Sequence, residues 1–561
     1  MTRWRGVILV GVVVVGSILW YVTATPLSTA VTATATTLAA SKNLATMAVP
    51  PEVVSWSRAE AAGTTAKYDW GEGCDETIGK ISLPVANQFE CFARFTGDNG
   101  GATGPGVTRD SIKVVIYQAA SGDGLSGLIS AAASGATDPA AGLKASKGYA
   151  EILSHYFQTY GRTVEIQPFQ GTGGSSDPVA AVADAETIAR DITPFMVIGG
   201  PLLTNAFADT LAAREIMCWN CTPGQSSAWY ERHAPYVWDL QKNPQQGGMM
   251  VNEYIGKRLM GRPAIYAGDP AMHTTQRVFG SLHISLDGSS SEISDALAAD
   301  QKRWGFDYAV DVSFTDPTQL ATTGRDLITK LKAAGVTTVV YTGDPIAPAT
   351  FTRIATEQQY FPEWILTGTA LIDINLLPRT FDQQQWAHAF GPANLFVHAT
   401  SGRVEASDLW TWWFGEPAPI PGAAGSLSLG PMQLLFITLE LMGPDVTVEH
   451  FRNSLFSAPT LVGSPLLGQI SFGHRGLFPG DDYNGVDDQG EVWWDPTAVG
   501  VDELGRRGPG VYRWTNNGAR VLPGKWTKGQ PDVFDPATAV TEFDDSAITV
   551  RQYPSLRGHP I

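Results

Sequence analysis

At 561 residues the chain is too long for one ordinary hydrophobic core, and two or three folding units are expected. Hydrophobic residues make up 43% and charged residues 17%, which excludes wholesale disorder. The formal net charge of -17, with no run of Lys or Arg to offset it, excludes nucleic acid and anionic membrane surfaces as partners.

Arg3 and Arg5 precede an uncharged, apolar or small stretch from Gly6 to Val22, the order of an export signal. Val22-Thr23-Ala24 offers the small residues a signal peptidase accepts. The stretch is also close to the minimum length of a spanning helix. Residues 1–24 are therefore read as a signal peptide or as a membrane anchor over residues 6–22, and the protein as exported and extracytoplasmic. A mature chain starting near Thr25, against one that keeps Met1, separates the two.

Cysteine usage agrees with export. The four are Cys74, Cys91, Cys218 and Cys221, and an even count in an exported chain favours two disulfides. Pairing by sequence neighbour gives Cys74–Cys91 and Cys218–Cys221, although three connectivities exist for four cysteines. Cys218-Trp-Asn-Cys221 has the spacing of a redox pair. Thr222-Pro223-Gly224 follows at once, however, which is loop chemistry and not a helix N-terminus, so a structural bridge is expected.

Residues 25 to about 60, rich in Thr, Ala, Ser and Val, read as a tether, and residues 61–106 as a loop-rich extension. From Val107 strands and helices alternate. Ser111–Tyr117 is a buried strand by its β-branched apolar run, Ala141–Tyr160 a helix by its spacing, and Thr163–Phe169 a strand. Pro178–Ile192 reads as a helix, Phe195–Ile198 as a strand ending at Gly199-Gly200-Pro201, Thr204–Arg214 as a helix and Glu215–Trp219 as a strand. The rhythm recurs after Gln245. Gly247–Met260 is expected to be helical, Pro263–Tyr266 a strand, Met272–Leu286 helical, Ala309–Phe314 a strand, Gly324–Ala334 a helix and Thr337–Tyr341 a strand. Repeated βαβ units imply an α/β protein with parallel sheets covered on both faces. Beyond Gly463 helical periodicity is lost, and Leu467–Phe472, Val492–Asp495 and Gly510–Trp514 look like strands joined by turns.

Gly106-Val-Thr-Arg-Asp-Ser-Ile112-Lys-Val114 resembles the opening of the Leu/Ile/Val-binding family of type I periplasmic binding proteins, the substrate-binding components of ABC transporters. Phe195–Pro201, Lys332–Tyr341 and Gly430–Leu441 are similar to later segments of that family, in the expected order. The resemblance implies two Rossmann-like lobes joined by a three-strand hinge, with a small molecule held in the cleft by hinge closure and passed to a membrane permease. It divides the chain into lobe 1 (107–243 and 370–460), lobe 2 (244–369 and 461–515) and a C-terminal tail (516–561), in a protein expected to be a monomer. A tethered sensor ectodomain is the alternative role for the same fold.

In open α/β sheets ligands bind at the carboxyl ends of the strands. Those ends are expected at Tyr117–Ser121, Gly199–Thr204, Cys221–Gln225, Ala267–Pro270, Tyr341–Pro345 and Thr367–Thr369. The candidate ligand contacts are thus Tyr117, Gln118, Gly200, Pro201, Leu202, Thr204, Thr222, Gln225, Tyr341, Asp344 and Thr369. Turn and capping roles compete at Thr204, Thr222, Gln225 and Asp344, and a core role competes at Tyr341. Amino-acid-binding members clamp the ammonium with an acidic residue where this chain has Leu366-Thr-Gly-Thr369, and grip the carboxylate with a Ser-rich loop where it has Pro201-Leu202-Leu203. Without those partners a zwitterion loses its compensation for desolvation, so a branched-chain amino acid is not the expected ligand.

The scattered histidines and the absence of a nucleophile–base set or P-loop lysine argue against an enzyme, and no cofactor or metal is expected. Asp481–Glu491 has closely spaced carboxylates but not the EF-hand order, and reads as an acidic surface turn rather than a calcium loop. Trp410, Trp412, Trp413, Trp493 and Trp494 are expected mainly in lobe packing.

Overall fold

The computed structural model describes residues 50, 52–124, 139–221, 224–285, 290–369 and 371–558. The N-terminal segment 1–24 and most of the tether expected from residue 25 onward lie outside these residues.

Five parallel strands form the first sheet: β1 (Ser111–Gln118), β2 (Thr163–Gln170), β3 (Met196–Ile198), β4 (Met217–Trp219) and β5 (Val237–Trp238), in the order β2-β1-β3-β4-β5. β1 and β3 carry Val, Ile and Met on both faces because helices cover both sides. α1 (Pro139–Ser154), α2 (Pro178–Thr187), α3 (Ala206–Ala213) and α4 (Ser227–Arg232) connect them. Local chemistry starts these helices. Asp177 accepts the Val179 and Ala180 amides ahead of Pro178, and Ser226 accepts the Trp229 amide.

The second sheet has eight strands: β6 (Phe279–Ile284), β7 (Val310–Phe314), β8 (Thr338–Thr342), β9 (Glu363–Ile365), β10 (Ala389–Ala393), β11 (Gly490–Val501), β12 (Arg507–Thr515) and β13 (Ala539–Val540). Their order is β13-β12-β11-β10-β9-β8-β6-β7, parallel from β10 to β7 and antiparallel across β10 to β13. α5 (Pro244–Tyr254) opens this unit with a capping box between Asn243 and Gln246. α6 (Ser290–Trp304), α7 (Leu320–Ala333) and α8 (Ala347–Glu357) cover the sheet. The chain then returns to the first unit through α9 (Glu405–Phe414), α10 (Ser426–Met442) and α11 (Val448–Ser457). α10 is apolar almost all round because it is buried almost all round, packed on α1.

Several elements differ from those expected. Pro263–Tyr266 is a turn with one bridge, Pro263 to Gln276, and the strand is Phe279–Ile284, inside the stretch expected to be helical. Phe279, Leu282 and Leu286 have helical spacing, but a strand buried on both faces shows no alternation and is not separable from a helix by period. The helix Ser290–Trp304 follows it, where none was expected. The chain does not leave the second unit at 370, because Ala389–Ala393 pairs with β9 there. Leu467–Phe472 makes only isolated bridges, among them Ile470 to Leu461 and to Val486. The tail is packed rather than loose: the Gly524 and Trp526 amides donate to Glu253, and Trp412 Nε1 donates to the Tyr553 carbonyl at 2.7 Å.

The N-terminal extension is bolted to the first unit by Arg162. Its guanidinium donates to the carbonyls of Thr108, Pro444, Asn99 and Gly101 at 2.5–3.0 Å. Cys74 is bonded to Cys91 within this extension, and Cys218 to Cys221 at the end of β4.

Three crossovers join the units, at residues 239–243, 394–404 and 458–489. The first and third pair like strands: the Asp239 amide donates to Tyr483 O, Gly485 N to Asp239 O and Val486 N to Leu240 O, at 2.9–3.1 Å. Arg520 ties in the second. Its guanidinium donates to Asp488 Oδ1 at 2.8 Å, to Asn394 O at 2.7 Å and to Leu395 O. The side chains of Arg520 and Asp488 are 3% and 4% exposed, so Arg520→Met leaves a buried carboxylate without its cation. We expect a loss of about 3–5 kcal/mol in urea unfolding; a change below about 1 kcal/mol would contradict this role.

Candidate ligand cleft

Loops at the carboxyl ends of the two sheets meet across the gap between the units. On the first unit, the loops after β1, β2 and β3 are laced together. Asp123 accepts the Ser175 amide at 2.7 Å and its hydroxyl at 2.9 Å, and Leu203 N donates to Ser175 O. Gly200 brings this set against the loop after β4, since a Cβ there would lie 2.6 Å from Cys221 O. On the second unit, Gly368 has a φ of +66° and approaches the Asn394 backbone too closely for a Cβ.

Two of the contacts between the units lie near these loops. A Cβ on Gly124 would lie 3.4 Å from Thr318 Cγ2, just beyond β7. The Ser226 hydroxyl donates to Glu292 Oε2, and Arg232 pairs with Glu292 Oε1 at 2.9 Å. Glu292 lies in the first turn of α6, and the Ser226 hydrogen bond followed by Arg232 holds its carboxyl below the ordinary range.

The expected contacts fall into two groups. Tyr117 is interior: its ring packs on Phe207 with centroids 4.9 Å apart, and its hydroxyl donates to Asp184 at 3.1 Å. Tyr341 is interior too, its hydroxyl donating to Asp344 O at 2.6 Å. A strand-end tyrosine on the helix-covered face turns into the core, so these two are corrected from ligand contacts to core residues. Thr204 is buried and its hydroxyl accepts the Ala206 amide at 3.3 Å, beside the start of α3. Thr367 donates to Tyr341 O and accepts from Thr369, both at 2.9 Å. Gln118 is half-buried with its carbonyl accepting the Gly171 amide, and Gly200, Pro201 and Leu202 are buried. Thr222 lies outside the described residues. Ala267–Pro270 sits at the opposite end of the second sheet, because Asp269 N donates to Phe361 O ahead of β9 and Gly268 abuts His388 ahead of β10.

Two candidates keep free polar atoms. Gln225 is fully buried, and neither its Nε2 nor its Oε1 has a partner among the described residues. Asp344 Oδ1 accepts the Ile346 and Ala347 amides at 2.8 Å, while its Oδ2 has no partner among the described residues. Burial pushes the Asp344 carboxyl up to about 6, against those two amides. An unpaired buried amide costs about 1–3 kcal/mol, which sets Gln225 apart from the other expected contacts.

Sequence reasoning missed Asp123, Ser226, Arg232 and Glu292. Ser226 carries an N-cap signal, but Glu292 belongs to a helix that was not foreseen. The acidic run 481–491 was also misread. It runs from the end of the third crossover into β11 and is not a surface turn: Asp482, Asn484, Asp487, Asp488 and Glu491 are all buried. Gln246 donates to Asp482, Ser471 to Asp487, Arg520 to Asp488 and Thr515 to Glu491. Lys242 donates to Asp488 O at 2.6 Å beside them. Burial pushes the Lys242 ammonium down to about 7 and the Asp239 carboxyl up to about 7. The tryptophans are packing residues, with Trp410 against Tyr149 and Trp494 against Tyr512. Among the described residues no group of three or more His, Cys, Asp or Glu is placed to hold a metal ion.

No protein-family model and no curated protein sequence matches the chain. Solved structures do. A solute-binding protein of an ABC transporter from Rhodopseudomonas palustris HaA2, in complex with p-hydroxybenzoic acid, matches with TM-score 0.50 at 11% identity, over 76% of this chain and 100% of that one. A second R. palustris solute-binding protein, in complex with 4-hydroxybenzoate, gives 0.49 at 14% identity over 76% and 100%. A fatty acid ABC transporter substrate-binding protein from Thermomonospora curvata gives 0.49 at 13% over 74% and 95%. The chain has the type I periplasmic binding protein fold.

Two expected outcomes follow from the electrostatics. The Arg232–Glu292 pair is half-exposed, so Glu292→Ala should change the unfolding free energy by less than about 1 kcal/mol while raising amide exchange at Ser226–Trp229. A loss of several kcal/mol would mean the contact is a core element instead. Asp239 titrates near 7 when folded and near 4 when unfolded. The folded state therefore holds the extra proton between those values, and this group removes stability as pH rises through that window. Asp239→Asn should flatten the decline in stability from pH 4 to 7 relative to the parent chain, and an unchanged slope would contradict the assignment.

Proposed function

We propose that the protein is the extracytoplasmic solute-binding component of an ABC importer, working as a monomer. It captures a small molecule between its two units, closes over it by hinge bending and presents it to a membrane permease. It acts by binding and not by catalysis. The observation that carries this reading is Gln225: a fully buried side-chain amide, unpaired at both ends, on the loop after β4 and next to the residue that reaches across to Glu292. Such an amide recognises a group that both donates and accepts, such as a carboxylic acid, a carboxamide or a phenol.

The ligand is not a branched-chain amino acid in this reading. Leu366–Thr369 supplies no carboxylate for an ammonium, and Pro201 and Leu202 supply no hydroxyl for a carboxylate. A phenol or a carboxamide fits better, and p-hydroxybenzoic acid, named for the R. palustris protein, carries a phenol and is the first compound to try.

A thermal-shift screen over aromatic acids, amides and amino acids tests the reading. A ligand at 100 times its dissociation constant raises stability by about 2.7 kcal/mol. Gln225→Leu removes the unpaired amide, so the folded chain should be as stable as the parent or more so, while the hit binds at least tenfold more weakly. Unchanged affinity in Gln225→Leu would exclude this cleft as the site.

A further inference from the structure

The three crossovers are not all that joins the two units, because the tail beyond β12 is fastened to each unit in turn. On the second unit, the Tyr266 hydroxyl donates to Pro531 O at 2.8 Å. Phe534 packs on Phe390 and Trp493 there, with ring centroids 5.6 and 5.2 Å apart, and β13 pairs with β12. Just beyond β13 the tail meets the second crossover. Glu542–Phe543 pairs with His398–Ala399, and Thr400 N donates to Phe543 O at 2.8 Å. Asp545 then accepts the Ser401 amide and the Thr400 hydroxyl, both at 3.0 Å.

The far end of the tail is fastened to the first unit. Trp412 Nε1, on α9, donates to Tyr553 O at 2.7 Å, and both residues are buried. Arg557 pairs with Glu151 on α1 and lies over the Phe414 ring, 4.9 Å from its centroid. Arg551 pairs with Asp75 at 2.7 Å, and the Tyr553 hydroxyl donates to the same carboxylate at 3.1 Å. Asp75 belongs to the N-terminal extension, which Arg162 fixes to the first unit.

We propose that the tail is a strap, a fourth link between the units that limits how far they swing apart. The proposal rests on the hinge-bending reading above for the motion it restrains, and it is tested without ligand. The end of a domain is poorly ordered unless something ties it down. Here the ties run from the second unit to the crossover and on to the first unit, instead of covering one body. The ion pairs of Arg551 and Arg557 are half-exposed, and each is worth little alone. The hydrogen bond from Trp412 to Tyr553 is buried, and breaking it leaves two buried polar groups unpaired. From Asp545 to Arg551 the chain spans at most roughly 20 Å. With both ends held, rotation of one unit against the other pulls on this short stretch.

Double electron–electron resonance on the ligand-free full chain tests this, with spin labels on cysteines introduced at Val179 on α2 and Asp326 on α7, both exposed. Two variants release the strap. Combining Arg551→Ala, Tyr553→Ala and Arg557→Ala removes the side-chain ties at the far end. A Gly-Ser insertion of about ten residues between Ser546 and Ala547 keeps every tie and adds slack, so the test stands even if the triple variant does not fold. Both variants should move the distance distribution outward and broaden it. Labels at Asp326 and the exposed Val499, both on the second unit, should read one distance in the parent and in both variants. An inter-unit distribution matching the parent's in a folded variant, or a changed Asp326–Val499 distance, would overturn the proposal. If a cleft ligand fails to shorten the parent's distance while the released chains still broaden, hinge closure falls and the strap stands.

Discussion

The pairing of the first and third crossovers is the constraint on which the rest of this molecule depends. Residues 239–240 and 483–486 exchange backbone hydrogen bonds as a short two-stranded ribbon between the units, and Arg520 pins the second crossover to the same ribbon. Two open sheets, one parallel and one mixed, held end to end in this way have the carboxyl-end loops of their parallel strands facing each other. Everything assigned to the cleft, from the Gly200 loop to the first turn of α6, follows from that geometry. The first linker is short, and its backbone pairs with that of the third.

The hinge and the latch are built on opposite electrostatic principles. In the hinge, Lys242, Asp482, Asp487 and Asp488 are buried among amide and hydroxyl donors, where removing one partner is costly but the assembled set adds little net stability. Such a set specifies one register of three strands. The contact of Ser226, Arg232 and Glu292 is partly wet and individually weak, which suits the breakable contact that the proposed hinge closure calls for.

Much of the framework was legible in the sequence. β1, β3 and β8 announce themselves as β-branched apolar runs. The order of strands then points to the loops where Gln225 and Asp344 lie. What failed did so for physical reasons. Phe279–Ile284 is buried on both faces, so its pattern carries no period of two, and α6 was lost with it. The acidic run 481–491 looked like a surface turn because its partners, Lys242, Gln246 and Arg520, are remote in the chain. Tyr117 and Tyr341 sit at strand ends as expected, but sequence position does not say which face a side chain takes, and both turned inward to Asp184 and to the Asp344 carbonyl.

The central claim is that the two units close over a guest at the loops carrying Gln225 and Asp344. Spin labels on introduced cysteines at Val179 on α2 and Asp326 on α7, one exposed position on each unit, test it most directly by double electron–electron resonance. The account predicts a longer, broader distance distribution without ligand and a single shorter one when a cleft ligand from the screen is bound. The same distribution in both samples would contradict it.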